Sequence, residues 1–327
     1  MGLKARPDFK LTIGDADVTA RVRERLMSLT LVDNSGEESD TLEIVLNDAG
    51  NVIESPRKGA VLNVSLGYVG DGLYAMGRFT VDEVEPSGPP DILTIRAKAA
   101  DMRASLKAQR SRAFDATTVG DIVADIANDH GLTPAVSAGL AGIAIAHRDQ
   151  TNESDLHFLT RLGRDFGAVA APKDGRLVFA PASTGLSASG KALDTVTLKR
   201  TDLTSWKGVS ADRNNQGSIR ARYRDNRAAR THYARAGSGD PVKTLRSTYR
   251  DEATAQAAAD AELARSGRAA NGIELTLPGR PAIVAQTPIE TTGLRPELTG
   301  RWIARTVQHA LDFDSAGFVT TVTGTKA

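Results

Sequence analysis

The sequence predicts a mainly β fold with α insertions, an α+β chain in which two β regions flank a helical middle. Three observations predict it. Short alternating runs crowd residues 8–100 and return at 196–327. Between them, at 101–167, the apolar period changes from two to that of a helix. Finally, Gly77-Arg78-Phe79-Thr80-Val81-Asp82-Glu83-Val84 is echoed by Gly300-Arg301-Trp302-Ile303-Ala304-Arg305-Thr306-Val307. Each is Gly-Arg-aromatic with Val seven residues after the Gly, late in its own β region. The echo argues for two copies of one small barrel.

The first β region opens with Phe9-Lys10-Leu11-Thr12-Ile13, then Leu42-Glu43-Ile44-Val45-Leu46 and Val61 to Leu66, all alternating. Asp71-Gly72 predicts a tight hairpin with φ > 0 at both central residues. Gly77 to Glu85 is a further strand. Gly88-Pro89-Pro90-Asp91 turns the chain, and Ile92 to Ile95 returns.

In the middle, Val119, Ile122, Val123, Ile126 and Ala127 form one helical stripe. Thr118 with Asp121 suggests a capping box, and Gly131 a stop. A second helix is expected over 153–166. Asn152 would cap it, Leu156, Leu159, Leu162 and Phe166 would be its buried stripe, and Gly167 its end. The small, polar stretch 180–190 reads as a linker. The last region adds strands at 219–223, 272–277, 301–307 and 317–322, with an Ala-rich helix at 251–266. The expected domains are therefore 1–100, 101–190 and 191–327, the last with an inserted hairpin and helix at about 213–268.

The 327 residues carry 41 Lys+Arg against 40 Asp+Glu, a net charge of +1. That disfavours a globally basic nucleic-acid binder. Cysteine is absent, which excludes disulfides, thiolate catalysis and Cys-ligated metal. The five histidines (His130, His147, His157, His232 and His309) include no i, i+4 pair, so a two-His zinc helix is excluded. No run approaches the length of a membrane span, and the first residues lack the apolar core of a signal peptide. Gly2 fits a myristoylation site, but Arg6 stands where Ser or Thr is required.

Candidate chemistry is sparse. Gly70-Asp71-Gly72-Leu73-Tyr74-Ala75 fits a dinucleotide fingerprint, but a strand follows the glycines where a helix is needed. Gly185 to Gly190 misses the nucleophile elbow by one position, and no phosphate-binding lysine loop or calcium loop exists. His147, Asp149, Glu153, Asp155 and His157 are a dense polar group, read as helix-cap carboxylates rather than a catalytic or metal site. Residues 117–140 look superficially like a small peptidoglycan-binding module but lack its opening signature. No catalytic, cofactor-binding or metal residue is assigned. The sharpest charge feature is the strip 213–235. Arg213, Arg220, Arg222, Arg224, Arg227, Arg230 and Arg235 face one acid, Asp225, with Tyr223 and Tyr233 interleaved. As a strand, Arg220, Arg222 and Arg224 share one side, which favours a protein interface or pore-facing strip over specific nucleic-acid reading.

Four stretches together resemble the phage late control D family, baseplate hubs of contractile tails. They are Pro56-Arg57-Lys58-Gly59 leading into Val64-Ser65-Leu66-Gly67-Tyr68; Met76 to Val84 with Gly88-Pro89-Pro90-Asp91; Gln150-Thr151-Asn152-Glu153-Ser154-Asp155-Leu156-His157-Phe158-Leu159-Thr160-Arg161-Leu162; and Gly300-Arg301-Trp302 through His309 to Thr321. They cover nearly the whole chain. The hub part of type VI secretion spike proteins is similar. The resemblance implies two tandem tube-type β-barrel domains joined by a helical connector. It implies a homotrimer of pseudo-sixfold symmetry that adapts a hexameric tail tube to a trimeric central spike. The implied partners are further copies of the chain, the tail spike and tail tube proteins, with the tape measure and baseplate wedge proteins as further candidates. It implies no cofactor, no enzymatic activity and no membrane insertion. The implied location is the virion tail baseplate or a tail-like particle, after assembly in the bacterial cytoplasm. The alternatives are a hub-associated cell-wall lytic enzyme and a nucleic-acid-binding protein using residues 213–235.

Overall fold

A computed structural model describes residues 6–36, 38–99, 104–173, 175–182, 185, 193–210, 217–225, 230–313 and 317–327. The chain is mainly β. The first region holds β1 (Pro7–Ile13), β2 (Ala16–Asp17), α1 (Thr19–Arg23), β3 (Leu26–Asn34), β4 (Thr41–Asn47), β5 (Val61–Tyr68), β6 (Gly72–Ser87) and β7 (Ile92–Ala99). The middle holds β8 (Gln109–Thr118), α2 (Val119–Asp129), β9 (Thr133–Val136), α3 (Ala138–Ala141), β10 (Ala144–Ser154), α4 (Asp155–Asp165), β11 (Ala168–Lys173) and β12 (Arg176–Pro181). Then follow β13 (Val196–Lys199), β14 (Ser205–Ser210), β15 (Ser218–Asp225), β16 (Arg230–Gly237), β17 (Val242–Tyr249), α5 (Glu252–Ala270), β18 (Asn271–Pro278), β19 (Pro288–Thr292), β20 (Gly300–Asp312) and β21 (Gly317–Lys326).

One 13-stranded sheet takes in both β regions. Its order contains the same path twice. In the first region β3-β4-β7-β6-β5-β1 are neighbours, and in the last β14-β18-β21-β20-β19-β13. The two paths differ at their ends, where β1 pairs β5 antiparallel and β13 pairs β19 parallel. They join where the second part of β20 pairs antiparallel with β3, Thr306 to Asp312 against Asn34 to Ser28. Among the described residues no sheet closes on itself.

The echo seen in the sequence is structural. Gly77 and Gly300 both take positive φ, +115° and +120°, a conformation a side chain would strain. Two residues on, Phe79 and Trp302 are each 2% exposed. Five residues on, Asp82 and Arg305 are each the extra residue of a bulge, between Val81 and Glu83 and between Ala304 and Thr306. Beyond the bulges a row crosses four strands in each copy: Val84, Ile95, Ile44, Leu29 in one and Val307, Val322, Leu275, Trp206 in the other.

Four apolar clusters result. Phe9, Leu29, Ile44, Leu62, Phe79 and Leu93 centre the first, Leu275, Ile289, Trp302 and Val322 the one in the last region. A third lies in the middle, around Ile122, Val123, Phe158, Leu159 and Phe179. A fourth lies between α5 and the sheet of β15, β16 and β17.

Several local expectations change. The hairpin at residues 68–72 has positive φ at Gly70 and Gly72, not at Asp71, because Tyr68 pairs Gly72 across a three-residue loop. The middle is not simply helical. β8 pairs β10, and β9, β12 and β11 form a second small sheet. α4 starts two residues later than its sequence suggests, capped by Ser154 Oγ, which accepts from His157 N at 3.2 Å. Asn152 instead takes φ +49° in the bulge of β10 between Gln150 and Glu153. Phe158, fully buried, takes the core place expected of Phe166. The insertion is a three-stranded sheet, since β17 adds parallel to β15. The Thr118–Asp121 capping box forms as read. Most of the stretch read as a linker lies outside the described residues.

Candidate interaction surfaces

The polar run 147–157 splits into two roles. Its buried half is a staple. Asp155, first residue of α4, is fully buried and receives Arg112 Nη2 at 2.6 Å and Gln150 Nε2 at 2.8 Å. His130 Nε2 lies 2.7 Å from its other oxygen. Gln150 in turn accepts from Arg112 Nε at 2.8 Å and donates to the Glu153 carbonyl at 2.9 Å. One carboxylate thus ties β8, β10, α4 and the end of α2 together. Burial raises the Asp155 pKa, but the bonds from His130 and Gln150 and the charges of Arg112 and Arg110 outweigh it. The carboxyl is held below its ordinary range.

Ser105 Oγ lies 2.8 Å from His130 Nδ1, so Ser105, His130 and Asp155 form a hydroxyl–imidazole–carboxylate series. Nucleophilic hydrolases use such a series beside converging oxyanion donors. Here the carboxylate is shared with Gln150 and two arginines, and the hydroxyl lines neither large cleft of the molecule. No local motif marks it, because 25 positions separate each pair.

The exposed half lies beside a cleft of about 690 Å³ lined by Lys107, Asp149, Asn152, Glu153, His157 and Arg161. Glu153 accepts from His157 at 2.9 Å and from Arg161. Burial raises the Glu153 pKa, and the Arg161 bond and charge overcome it. His147 sits between Asp115 and Asp149, whose bonds raise its pKa. Among the described residues no cluster of three or more His, Cys, Asp or Glu could hold a metal ion.

A second cleft, about 670 Å³, opens where the end of β3 meets α4, α5, β20 and β21. Arg164, Arg265, Arg268 and Arg305 line it with Glu38. Close by, Lys173 of β11 pairs with Asp33 of β3 and lies 3.6 Å from Asp40. Asp33 also accepts from Ala285 N at 2.7 Å. One carboxylate therefore links the first region, the middle and the last region. Burial, with Asp33 nearby, pushes the Asp40 pKa up to about 6 against the pull of Lys173.

Of the arginine strip, Arg220, Arg222 and Arg224 do share one face of β15, opposite Ile219 and Ala221, which are buried against α5. Arg235 joins that face from β16, paired with Arg220. Arg230 stands on the other alternation, and Arg213 and Arg227 lie outside the described residues. The Gly70 to Ala75 segment is the β5–β6 hairpin, with no helix after its glycines.

This is an architecture of faces, open edges and buried staples between regions of the chain, and its fold recurs in solved tail proteins. In solved structures, a tail protein of Neisseria meningitidis superposes with TM-score 0.74 at 12% identity, covering 98% of this chain and 97% of that one. An E. coli component of the type VI secretion system, itself structurally similar to T4 bacteriophage tail proteins, superposes with TM-score 0.56 at 13% identity, over 93% and 74%. In sequence, the probable baseplate hub protein of Escherichia phage P2 is 35% identical across 98% of this chain and 93% of its own length. The model of the phage tail baseplate hub family (GPD) matches residues 53–314. The chain belongs to the phage tail baseplate hub family, and its place is the tail baseplate. Among the described residues no helix is long and apolar enough to cross a membrane.

Proposed function

We propose that the chain is a structural, non-enzymatic adaptor: a homotrimeric hub of pseudo-sixfold symmetry that joins a hexameric tail tube to a trimeric central spike. Residues 1–100 and 191–327 act as two tube-like barrel domains around the unit at 101–190, with 213–268 inserted in the second. The repeated strand path is the observation that carries this reading. Within one chain, the second part of β20 seats β3. In the repeat, β14 stands where β3 does and β6 where β20 does. Among the described residues β14 has no partner on its outer side, and Glu83 to Ser87 of β6 have none on the side where β5 ends. Val209 of that edge is 53% exposed. An open edge seeks a strand. Pairing β14 of one chain with β6 of the next makes intrachain and interchain joints alternate, and three chains supply six halves.

The register follows from the repeat. Val32 faces Gln308 at the internal joint, and the corresponding residues are Val209 and Glu85. Because the chain has no cysteine, a Val209→Cys/Glu85→Cys variant reports this contact cleanly. Oxidised particles are expected to yield covalent trimers, and either single variant none. Mass spectrometry of tail particles is expected to count about three copies, the number that closes such a ring. A count of six, or absence from complete particles, would overturn the trimeric hub.

A further inference from the structure

Among the described residues the arginine face meets neutral groups and no carboxylate. Arg220 lies with its guanidinium 4.4 Å from the Tyr233 ring centroid. Arg222 gives Nη2 to the Arg246 carbonyl at 2.6 Å, while its Nε is closed off from water without an acceptor. Arg235 donates to Ser218 Oγ at 2.9 Å, and Arg224 is exposed. Among the described residues no carboxylate pairs with any of the four. Like charges side by side on a sheet repel, so this face gains from an acidic surface brought from outside.

The same chain carries one. On α2, Asp121, Asp125 and Asp129 recur every four residues on the side away from the buried Val119, Ile122, Val123, Ile126 and Ala127. Asp129 is already held by Arg110 at 3.0 Å and Arg112 at 2.8 Å, whereas among the described residues Asp121, which accepts only from Thr118, and Asp125 pair with no cation. Successive aspartates stand about 6 Å apart along a helix. Arginines two apart on a strand stand about 6.7 Å apart. Two aspartates therefore meet two neighbouring arginines in step. Within one chain α2 packs on β8, β9, α3 and β12, none of them part of the arginine sheet.

We propose that the arginine face of β15 and β16 in one chain seats the aspartate face of α2 in a second copy. Two different patches that meet head to tail are what a cyclic assembly requires. The proposal rests on the self-association argued above and adds a second contact to it, outside the ring of edges.

The test uses three full-length variants: Arg220→Glu/Arg224→Glu, Asp121→Lys/Asp125→Lys, and all four together. Self-association is read by sedimentation velocity at low and high salt. Wild-type association is expected to weaken with salt. Each separate reversal is expected to weaken it at least about tenfold, and the four-residue swap to restore it to within about threefold. Asp121 also caps α2, so Asp125→Lys alone replaces the aspartate pair if melting shows a folding loss. Unchanged association in well-folded single reversals, or no recovery in the swap, overturns the contact. So does a wild-type chain that stays monomeric. Loss of single-stranded DNA binding in Arg220→Glu/Arg224→Glu without loss of association also overturns it, in favour of a nucleic-acid surface. About three copies per particle alongside an inert swap would sink this contact and leave the hub standing.

Discussion

His130 Nε2 stands 2.7 Å from Asp155 Oδ2 with both side chains closed off from solvent. The pair joins the end of α2 to the start of α4, and Arg112 and Gln150 converge on the same carboxylate. Asp155→Ala leaves His130 Nε2 and one Gln150 amide N–H buried without their acceptor, while Arg112 keeps Asp129 and Gln150. The expected cost is about 3–5 kcal/mol, read from denaturant unfolding. Because the folded Asp155 pKa is lowered, its stabilisation is present above the unfolded value near 4 and lost as pH falls through the folded one. An Asp155→Ala chain as stable as the parent would show that the staple is idle.

His309 sets a second acid response. It is fully buried, with Nδ1 3.0 Å from Thr320 Oγ1 and Nε2 3.0 Å from the Ile283 carbonyl. A neutral ring fits this site: Nε2 donates to the Ile283 carbonyl and the Thr320 hydroxyl can donate to Nδ1 while its oxygen accepts from Arg280 N. Burial lowers its pKa below 6.5. The unfolded chain then binds the proton more readily. Stability is whole above pH 6.5 and falls as pH drops towards the folded pKa. Asp40 acts in the opposite sense, since its folded pKa is raised to about 6. The readout is therefore the difference between wild type and His309→Gln across pH 7.5 to 5, expected to shrink as pH falls. A constant difference counts against a neutral buried ring.

Trp302 and Phe79 are predicted to matter alike. Trp302 also donates Nε1 to Thr291 Oγ1 at 3.1 Å. Trp302→Ala and Phe79→Ala should each cost about 3–5 kcal/mol, and each should deplete the chain from tail particles. Wild-type-like melting of either would deny that the two positions anchor equivalent cores.

Lys173 answers two carboxylates. Lys173→Met strands Asp33 and Asp40 in a half-closed site, with an expected loss of about 3–5 kcal/mol. Asp40→Asn should be neutral or stabilising at pH 7.5, where the ionised carboxylate is disfavoured, and should lose that advantage near pH 5. A destabilised Asp40→Asn at neutral pH would show that the charge, not the hydrogen bond to Asn34, is what the site needs.

Much of the β framework is legible in the sequence, because alternation at Leu42 to Leu46 or Val61 to Leu66 reports a half-buried strand directly. The Gly77 and Gly300 echo is legible too, since both glycines meet one backbone demand. The strands of the middle are not. β8 and β10 are mostly exposed along their length, so no apolar alternation marks them. The cap of α4 is not legible either, because Asn152 and Ser154 are both good caps and only the bulge decides between them. The staple joins Ser105, Arg112, His130, Gln150 and Asp155 through folding alone, which no local spacing encodes.

β20 belongs to two neighbourhoods at once. Its first part is paired by β19 and its second by β3, while β21 runs beside both. A bend between the two β halves therefore has no slack linker to absorb it, and would have to shear several backbone hydrogen bonds together rather than peel them one by one. A load applied at one half reaches the other through a continuous strand. For a part of a tail baseplate, that is stiffness built into the backbone itself.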